Sequence, residues 1–209
     1  MEVRKIRQQD IDQIVLVHNS SFPDFFLTSL GSNFLKVYYK SLIKDSEGIG
    51  VCVCASEDIV GFSVGCIRSA GFNKRLIRTN LLLFFIEFFK IVFTRPTALL
   101  RLVKNLDKKD HSNKDNGDYA ELLSIAVLPE FKSKGIGKIL LSHFETEVYL
   151  KKENTNISLT TDAFDNDAVL SFYKQNGYIF LYEFISYPNR KMYRLIKLYS
   201  SLNLGESFT

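Results

Sequence analysis

Residues that form metal centres and disulfide frameworks are scarce in this sequence, which has three cysteines and three histidines among 209 residues. Cys52, Cys54 and Cys66 are too few and wrongly spaced for a zinc site, and an odd number does not suit a disulfide framework. In GVCVCAS, two of them lie two positions apart on one face of a predicted strand, where small buried apolar side chains are expected. The histidines form no ligand motif, so no metal site is predicted.

Long apolar segments are also lacking. The beginning of the chain, MEVRKIRQQDID, is polar and charged where a secretory signal would be apolar, so a cytoplasmic location is expected. The most apolar stretch, NLLLFFIEFFKIVF, contains Glu87 and Lys90 and is shorter than the run of about 20 apolar residues that crosses a bilayer. The sequence therefore predicts no transmembrane helix.

What the chain does contain is a globular composition, rich in phenylalanine and without tryptophan. Hydrophobic residues make up 46% and charged residues 24%, and 18 phenylalanines are present to fill a core. The length predicts one enzyme-sized domain over 1–200, which includes a helical insertion at 75–118 and leaves a C-terminal tail at 201–209.

Positive charge is concentrated in one segment. The net charge is +4, but from Ile67 to Asp110 ten Lys or Arg stand against three acidic residues, so this segment carries +7 and the rest about −3. Such a local field indicates an anionic ligand or surface nearby rather than general affinity for nucleic acid, and no nucleic-acid partner is expected.

The apolar stretch within that basic segment predicts a helix, because Glu87 and Lys90 form one narrow polar stripe along it. Two interpretations stay open. The helix packs inside the fold or at a subunit interface, which would make the protein a homodimer. Alternatively, it lies in a membrane surface as a peripheral contact, with the flanking Arg and Lys on anionic lipid headgroups.

The order of elements predicts a mixed α+β fold. A strand and two helices precede a hairpin formed by GIGVCVCAS and IVGFSVGCIR, and after the insertion the chain reads strand, helix, strand, helix and two final strands. Asp165 is expected to cap the last helix and Gly177 to end it. In the fourth strand, YAELLSIAV, simple alternation places Glu121 and Ile125 on the same face.

The stretch PEFKSKGIGKILLSHF, which follows that strand, carries the strongest functional signal. Gly135 and Gly137 open an amphipathic helix, where free backbone N–H groups and the helix dipole favour an anion. Glycines there let phosphate oxygens approach the main chain, and the lysines of the turn add positive charge. A pyrophosphate group is the expected ligand.

Two common nucleotide-binding patterns do not fit this turn. A Walker loop requires Ser or Thr after Gly-Lys, and Ile139 stands there. A dinucleotide fingerprint requires a third glycine where Leu140 stands.

The turn instead resembles the cofactor loop of the GNAT family of N-acetyltransferases, which reads Gln or Arg, two residues, Gly, one residue, and Gly or Ala. Here it is KSKGIG, with Lys132 in place of Gln or Arg. A second stretch, NDAVLSFYKQNGY, is similar to another family signature through its Asn, Phe-Tyr and Gly, although Ala168 falls one residue early. The two motifs cover roughly Tyr119 to Phe180.

This resemblance implies a mostly antiparallel central sheet flanked by helices, with the insertion before the fourth strand. It also implies that acetyl-CoA donates an acetyl group to a primary amine. The pantetheine arm would pair with the fourth strand as an added strand would. The implied cofactor-binding residues are Ile125, Ala126, Val127, Lys132, Ser133, Lys134, Gly135, Ile136, Gly137, Lys138, Asn166, Phe172 and Tyr173.

Two residues are predicted to carry the chemistry. Tyr173, with an ordinary pKa of about 10, is the candidate acid that protonates the leaving thiolate; the alternative is a purely structural core aromatic. Glu121 is the candidate base, because its stretch AELLSIAV resembles the place of the catalytic glutamate in the histone-acetyltransferase branch of the family. The alternative is a structural pair with a nearby Lys or Arg.

The acceptor amine is the least determined part. The stretch FPDFFLTSLGSNFLKVYYKSL resembles, more loosely, acetyltransferases associated with bacterial surface-polysaccharide biosynthesis. That resemblance implies a small-molecule acceptor such as a nucleotide-linked amino sugar; a protein or peptide acceptor, or a non-catalytic acyl-CoA-binding module, are the alternatives. An aromatic pair would stack on a ring, a hydroxyl would bond the sugar and arginines would hold phosphate. The residues expected in these roles are Phe25, Phe26, Thr28, Arg75, Arg78 and, as a further arginine, Arg101.

Overall fold

The computed structural model describes residues 1–94, 115–186 and 189–199. Its strands are β1 (Glu2–Lys5), β2 (Gly48–Ala55), β3 (Asp58–Cys66), β4 (Ala120–Val127), β5 (Ile157–Asp162), β6 (Ile179–Ser186) and β7 (Arg190–Lys197). Its α-helices are α1 (Ile11–Ser21), α2 (Phe26–Ser29), α3 (Ser32–Lys44), α4 (Phe72–Thr79), α5 (Leu81–Thr94), α6 (Ile136–Lys151) and α7 (Asp167–Gln175).

All of these strands join one seven-stranded sheet in the order β1-β2-β3-β4-β5-β7-β6. Five of the six neighbouring pairs are antiparallel, and only β4 and β5 run parallel. The predicted class, a mixed and mostly antiparallel sheet flanked by helices, is confirmed. The parallel pair requires a crossover connection, which α6 supplies.

The parallel pair β4 and β5 separates soon after it forms. Their ladder joins only Ala120–Leu122 to Ile157–Leu159. Beyond that point β4 stays paired with β3 as far as Val127, and β5 stays paired with β7 as far as Asp162. The sheet therefore splits in its middle, and the outer part of β4 turns an unpaired edge toward the gap.

A β-bulge in β4 corrects one prediction. Val64 of β3 lies opposite Ser124, but the next residue, Gly65, lies opposite Leu122, so β4 has one extra residue between them. An extra residue reverses the alternation of side chains beyond it. Glu121 and Ile125 consequently face opposite sides of the sheet, and the prediction that they share a face is wrong.

The core occupies both faces of the sheet. Under α1 and α3, the apolar side chains of α1 pack on the sheet, and Ile14 has no exposed surface. Under α6, Phe144 and Leu141 pack on the inner ends of β4 and β5. Cys52, Cys54 and Cys66 are buried free thiols in the first of these layers, which confirms the prediction of Cys52 and Cys54 as small core residues.

Two further local predictions are decided by the structure. Asp165 is not the cap of α7, because Asn166 occupies the N-cap position. Gly177 does end that helix, two residues after Gln175, with a φ of 86° that suits glycine.

The described part of the predicted insertion contains the end of α4 and the whole of α5. Residues 95–114, which include Arg101, lie outside the described residues. Among the helices that the structure describes, none is both long enough and apolar enough to cross a membrane.

Candidate active site

A cleft of about 720 Å³ opens where β4 and β5 separate. Its walls come from the end of α1 and the segment after it, from β4, from the turn before α6, from β5 and from α7. Most of the predicted cofactor-binding residues line it, and Lys134 is the exception. Those lining it are Ile125, Ala126, Val127, Lys132, Ser133, Gly135, Ile136, Gly137, Lys138, Asn166, Phe172 and Tyr173.

The turn before α6 has the backbone geometry of an anion site. Gly135 is the N-cap of α6 with a φ of 78°, and Ser133 just before it has a φ of 61°. A Cβ atom at Gly135 would have no heavy atom within 4 Å, so the main chain is open on that side. Since the first turn of a helix leaves its N–H groups without intrahelical acceptors, these donors are available to a bound phosphate.

Basic side chains surround this turn on more than one side. Lys132 and Lys138 line the cleft. The Nζ atom of Lys134 lies 4.6 Å from the ring centroid of Phe131, so this side chain is held over the aromatic ring instead. The field at the helix start is therefore positive.

The outer part of β4 offers a second kind of binding surface. Leu123 to Val127 line the cleft, and their backbone is free of β5 there. An extended chain that carries amide groups can pair with such an edge as an additional strand. Ser21 Oγ donates to the Val127 carbonyl at 3.1 Å and ties α1 to the end of this strand.

Tyr173 lies in the cleft wall. Its side chain is 5% exposed, and edge contacts to Phe172 at 5.2 Å and Tyr178 at 5.6 Å between ring centroids hold it. Burial raises the pKa of Tyr173 well above its ordinary value. Its hydroxyl stays protonated at neutral pH and has no hydrogen bond to another described residue.

Asn166 holds the start of the helix that carries Tyr173. Its Nδ2 atom donates to Thr161 Oγ1 at 2.7 Å and to the Asp162 carbonyl at 3.0 Å. These two bonds fix the start of α7 to the end of β5. Tyr173 lies two turns further along α7, so the two residues keep a constant spacing along the cleft.

Glu121 does not line the cleft. Its carboxylate forms an ion pair with Arg194 of β7 and accepts a hydrogen bond from Ser69 Oγ, and both charged side chains are only 12–13% exposed. The Arg194 guanidinium also lies 5.6 Å from the Tyr119 ring centroid. This arrangement is the structural pair that the sequence left as the alternative, and a role as base stays a prediction.

The predicted acceptor residues are only partly brought together. Phe25 lines the cleft, whereas Phe26, Arg75 and Arg78 do not. Thr28 is also absent from the lining, and its hydroxyl donates to the Phe22 carbonyl. Arg75 is held outside by ion pairs with Asp45 and Glu47.

Two residues that the sequence did not indicate complete the acceptor end. Arg190, the first residue of β7, forms a two-point ion pair with Asp162 at the end of β5. The same guanidinium stacks on the Phe25 ring at 4.7 Å from its centroid. All three line the cleft, and the contact ties the segment after α1 to β7 across its end.

A weak signal for Arg190 is present in the sequence. In RKMYRL the residues Arg190, Met192 and Arg194 alternate, which places them on one face of a strand. The structure puts Met192 in the cleft beside Arg190, while Arg194 reaches Glu121. The partners come from distant parts of the chain, so the pattern alone could not name them.

His18 of α1 also lines the cleft. Its Nδ1 atom lies 2.7 Å from the hydroxyl oxygen of Tyr39, and its Nε2 atom is buried with no hydrogen-bond partner among the described residues. Burial lowers the pKa of His18 to about 4. The ring is therefore neutral at physiological pH and serves as a polar but uncharged part of the wall.

The sequence profile of the Acetyltransferase (GNAT) family matches residues 14–178. No curated protein matches the chain in sequence.

Solved structures match it in fold over nearly the whole length. The ribosomal-protein-S18-alanine N-acetyltransferase of Escherichia coli has a TM-score of 0.60 at 12% identity, covering 95% of this chain and 94% of that chain. A mutant of the spermidine N-acetyltransferase SpeG of Vibrio cholerae has a TM-score of 0.58 at 13% identity, with 95% of each chain covered. An aminoglycoside 6'-acetyltransferase type Ii has a TM-score of 0.60 at 15% identity, covering 95% and 97%.

Proposed function

Because this chain belongs to the Acetyltransferase (GNAT) family and is an acyl-CoA-dependent N-acetyltransferase, we propose that its acceptor is the primary amine of a small molecule, in the amino-sugar class. The solved structures of similar fold carry names for protein, polyamine and aminoglycoside acceptors. At 12–15% identity they share the fold alone. The acceptor is therefore argued from the cleft.

Acetyl-CoA is the proposed acetyl donor. Its pyrophosphate would bind the backbone donors of the turn that ends at Gly137, between Lys132 and Lys138, and its pantetheine arm would lie along the free edge of β4. The residues present fit this group, because the turn has open main chain at Gly135 and a positive field. When bound, acetyl-CoA supplies a thioester carbonyl that a neutral amine attacks.

Tyr173 is the proposed acid. As the new C–N bond forms and the C–S bond breaks, the leaving sulfur needs a proton, and the phenol oxygen of Tyr173 holds one in the cleft wall. Burial keeps this hydroxyl neutral. The proton that the amine loses goes to solvent or to a base, for which Glu121 remains the candidate in this chain.

One observation carries the acceptor class: the Phe25 ring, the Arg190 guanidinium and the Asp162 carboxylate stand together at the cleft end. The aromatic ring offers a stacking face, and the ion pair offers both donors and acceptors to hydroxyl groups. Their contact also bridges the cleft end, whereas a peptide acceptor needs an open groove for a chain. A compact, polyhydroxylated amine fits this end best.

The nucleotide-linked form is a finer part of this proposal, as is the link to surface-polysaccharide biosynthesis. Its phosphate was expected to bind Arg75, Arg78 or Arg101; Arg75 is already paired with acidic residues, and Arg101 lies outside the described residues. Arg78 is exposed and outside the cleft lining, so a phosphate held there would extend beyond the cleft. Free and nucleotide-linked amino sugars must therefore be compared directly.

The test is acetylation with radiolabelled acetyl-CoA and a broad acceptor panel. It includes free amino sugars, nucleotide-linked amino sugars, polyamines, aminoglycosides, a lysine-rich peptide and a peptide with an N-terminal alanine. We expect the highest kcat/KM for an amino sugar. Faster acetylation of either peptide than of every amino sugar would reject the small-molecule proposal.

A further inference from the structure

Helix α5 displays a stripe of large apolar side chains to solvent. Leu82 is 72% exposed, Phe85 53% and Ile86 44%. Leu81, which is 60% exposed, lies one turn before Phe85, and Leu82 lies one turn before Ile86, so these side chains cover one side of the helix. Soluble monomers rarely leave such a contiguous apolar surface without a use.

The other side of α5 is fixed to the body of the protein. Phe84 is 6% exposed and makes an edge contact with Phe34 of α3, with ring centroids 5.6 Å apart. Leu30 and Phe34 complete this small buried cluster. The helix is thus anchored by one face while it presents the apolar stripe outward.

Basic side chains precede this stripe directly. Arg68 before α4, and Lys74 and Arg78 on α4, are exposed and form no ion pair with another described residue. Arg78 lies only three residues before Leu81. Arg75, by contrast, is neutralised by Asp45 and Glu47. Unneutralised positive charge therefore borders the apolar stripe.

We propose that α4 and α5 form a docking surface for an anionic lipid bilayer. Helix α5 would lie in the plane of the interface, with Leu82, Phe85 and Ile86 inserted at the boundary between headgroups and acyl chains. Lys74 and Arg78 would contact the negative headgroups. This use is peripheral, in agreement with the finding that no described helix can span a membrane.

Charge favours a lipid surface over a second copy of this chain. In a two-fold symmetric dimer the same surface patch meets itself, so α4 and α5 of the partner would bring their own unneutralised cations to the contact. Like charges brought together across such a contact disfavour association. An anionic bilayer satisfies the apolar stripe and the cations together.

Vesicle cosedimentation tests the proposal with the full chain. We expect binding to vesicles of phosphatidylcholine mixed with phosphatidylglycerol, much weaker binding to phosphatidylcholine alone, and a decrease as salt rises. No binding to the anionic vesicles would overturn the proposal. Equal binding to both kinds of vesicle would overturn the role of charge and with it the proposal.

Matched variants locate the surface. Leu82→Asp and Phe85→Asp should each lower the partition coefficient onto anionic vesicles at least about tenfold, because an apolar side chain that would insert into the bilayer is lost. The control is Leu150→Asp on α6, which is 75% exposed and should bind as the unchanged chain does. Circular dichroism and acetyl-CoA binding verify the fold. An equal loss in the control would overturn the assignment to α5.

A charge series completes the test. Replacing Lys74 and Arg78 by Gln together should lower binding to anionic vesicles roughly 25-fold, since each basic residue near the surface contributes about 1 kcal/mol, or about fivefold. Arg7→Gln with Lys174→Gln removes the same charge elsewhere and should leave binding nearly unchanged. Sedimentation velocity without lipid tests whether a second copy of this chain binds the apolar stripe instead. If the unchanged chain is a dimer and Phe85→Asp makes it a monomer, the stripe is a dimer interface and the lipid proposal is rejected.

Discussion

The two ends of the cleft are built in different ways. At the turn before α6, the binding groups are backbone N–H donors with the side chains of Lys132 and Lys138, and the main chain at Gly135 is open to solvent. At the acceptor end, Arg190, Asp162 and Phe25 already contact one another. The first end can bind a pyrophosphate group without breaking existing contacts. At the second end, a ligand must bind among side chains that already form an ion pair and a stacking contact with one another.

This contrast separates affinity from selectivity. A helix N-terminus recognises charge and a phosphate geometry that every acyl-CoA shares. Side chains that already contact one another favour only a ligand whose hydroxyl groups replace or extend their bonds, since polar groups that a ligand covers without pairing are costly. We therefore expect changes at the turn to alter cofactor binding, and changes at Arg190 to alter which amine is acetylated.

The largest expected effect belongs to Tyr173, whose side chain lies in the cleft wall. Tyr173→Phe should lower kcat by about 10²–10⁴-fold, the usual contribution of a general acid, with acetyl-CoA affinity nearly unchanged. Steady-state kinetics and calorimetry measure the two quantities. A change in kcat below about threefold, or less than about 1 kcal/mol, would show that the hydroxyl is only structural.

The pH dependence gives an independent reading of the same residue. A tyrosine acid loses activity when it ionises, and the ordinary pKa is about 10. Because burial raises the pKa of Tyr173, the acid stays protonated as the pH rises through that value. The kcat profile of the unchanged enzyme should therefore show no alkaline decline that is assignable to tyrosine at pH 10.

The next effect tests the cofactor end alone. Gly137→Glu would place a carboxylate where the pyrophosphate is proposed to bind, and like charges at close range should weaken acetyl-CoA binding by at least about 100-fold. Gly137→Ala is the control, because a Cβ atom there meets Phe172 at 3.8 Å, an ordinary contact. Calorimetry on both folded variants decides, and equal affinity for the two would contradict the site.

How well the sequence predicts each end of the cleft depends on how far apart along the chain its residues lie. The anion site lies within six consecutive residues of KSKGIG, so local rules for a helix start were sufficient. The acceptor end joins Phe25 to Asp162 and Arg190, and no local pattern brings such distant residues together. For the same reason, the sequence named Arg75 for the acceptor but could not show that Glu47 already binds it.

The bulge in β4 is an intermediate case. The strand itself was predictable from its alternating apolar residues. The extra residue opposite Val64 and Gly65 depends on pairing with β3, so the face of Glu121 relative to Ile125 could not be read from alternation. Bulges of this kind often lie next to active sites, and here it occurs where β4 leaves β5.

The acceptor end is tested by Arg190→Met. The change removes the partner of Asp162 and the cation on Phe25, and we expect KM for the preferred amine to rise about tenfold, an energy of about 1.4 kcal/mol, with acetyl-CoA affinity unchanged. Lys191→Met is the matched control, since Lys191 is the next residue in the strand and forms an ion pair of its own with Glu183. A loss of acetyl-CoA affinity in the Arg190 variant would show that the two ends are not separable.

The smallest effect on turnover is expected at Glu121, which lies outside both ends of the cleft. Glu121→Gln retains an acceptor for Ser69 but removes the charge opposite Arg194, which is buried with it. Leaving a buried cation unpaired destabilises a fold by about 3 kcal/mol, so the main effect should be a loss of stability in chemical denaturation.

If the pair is structural, kcat at a temperature where the variant is folded stays within about threefold and the pH profile keeps its shape. A base role predicts the opposite pattern: kcat falls by about 10²-fold or more and the acidic limb of the kcat/KM profile changes, even where the variant is fully folded. Arg194→Met separates the two explanations, because it breaks the same ion pair while the carboxylate stays in place. Equal loss of stability in both variants, with turnover retained in both, would assign Glu121 to the architecture between β4 and β7.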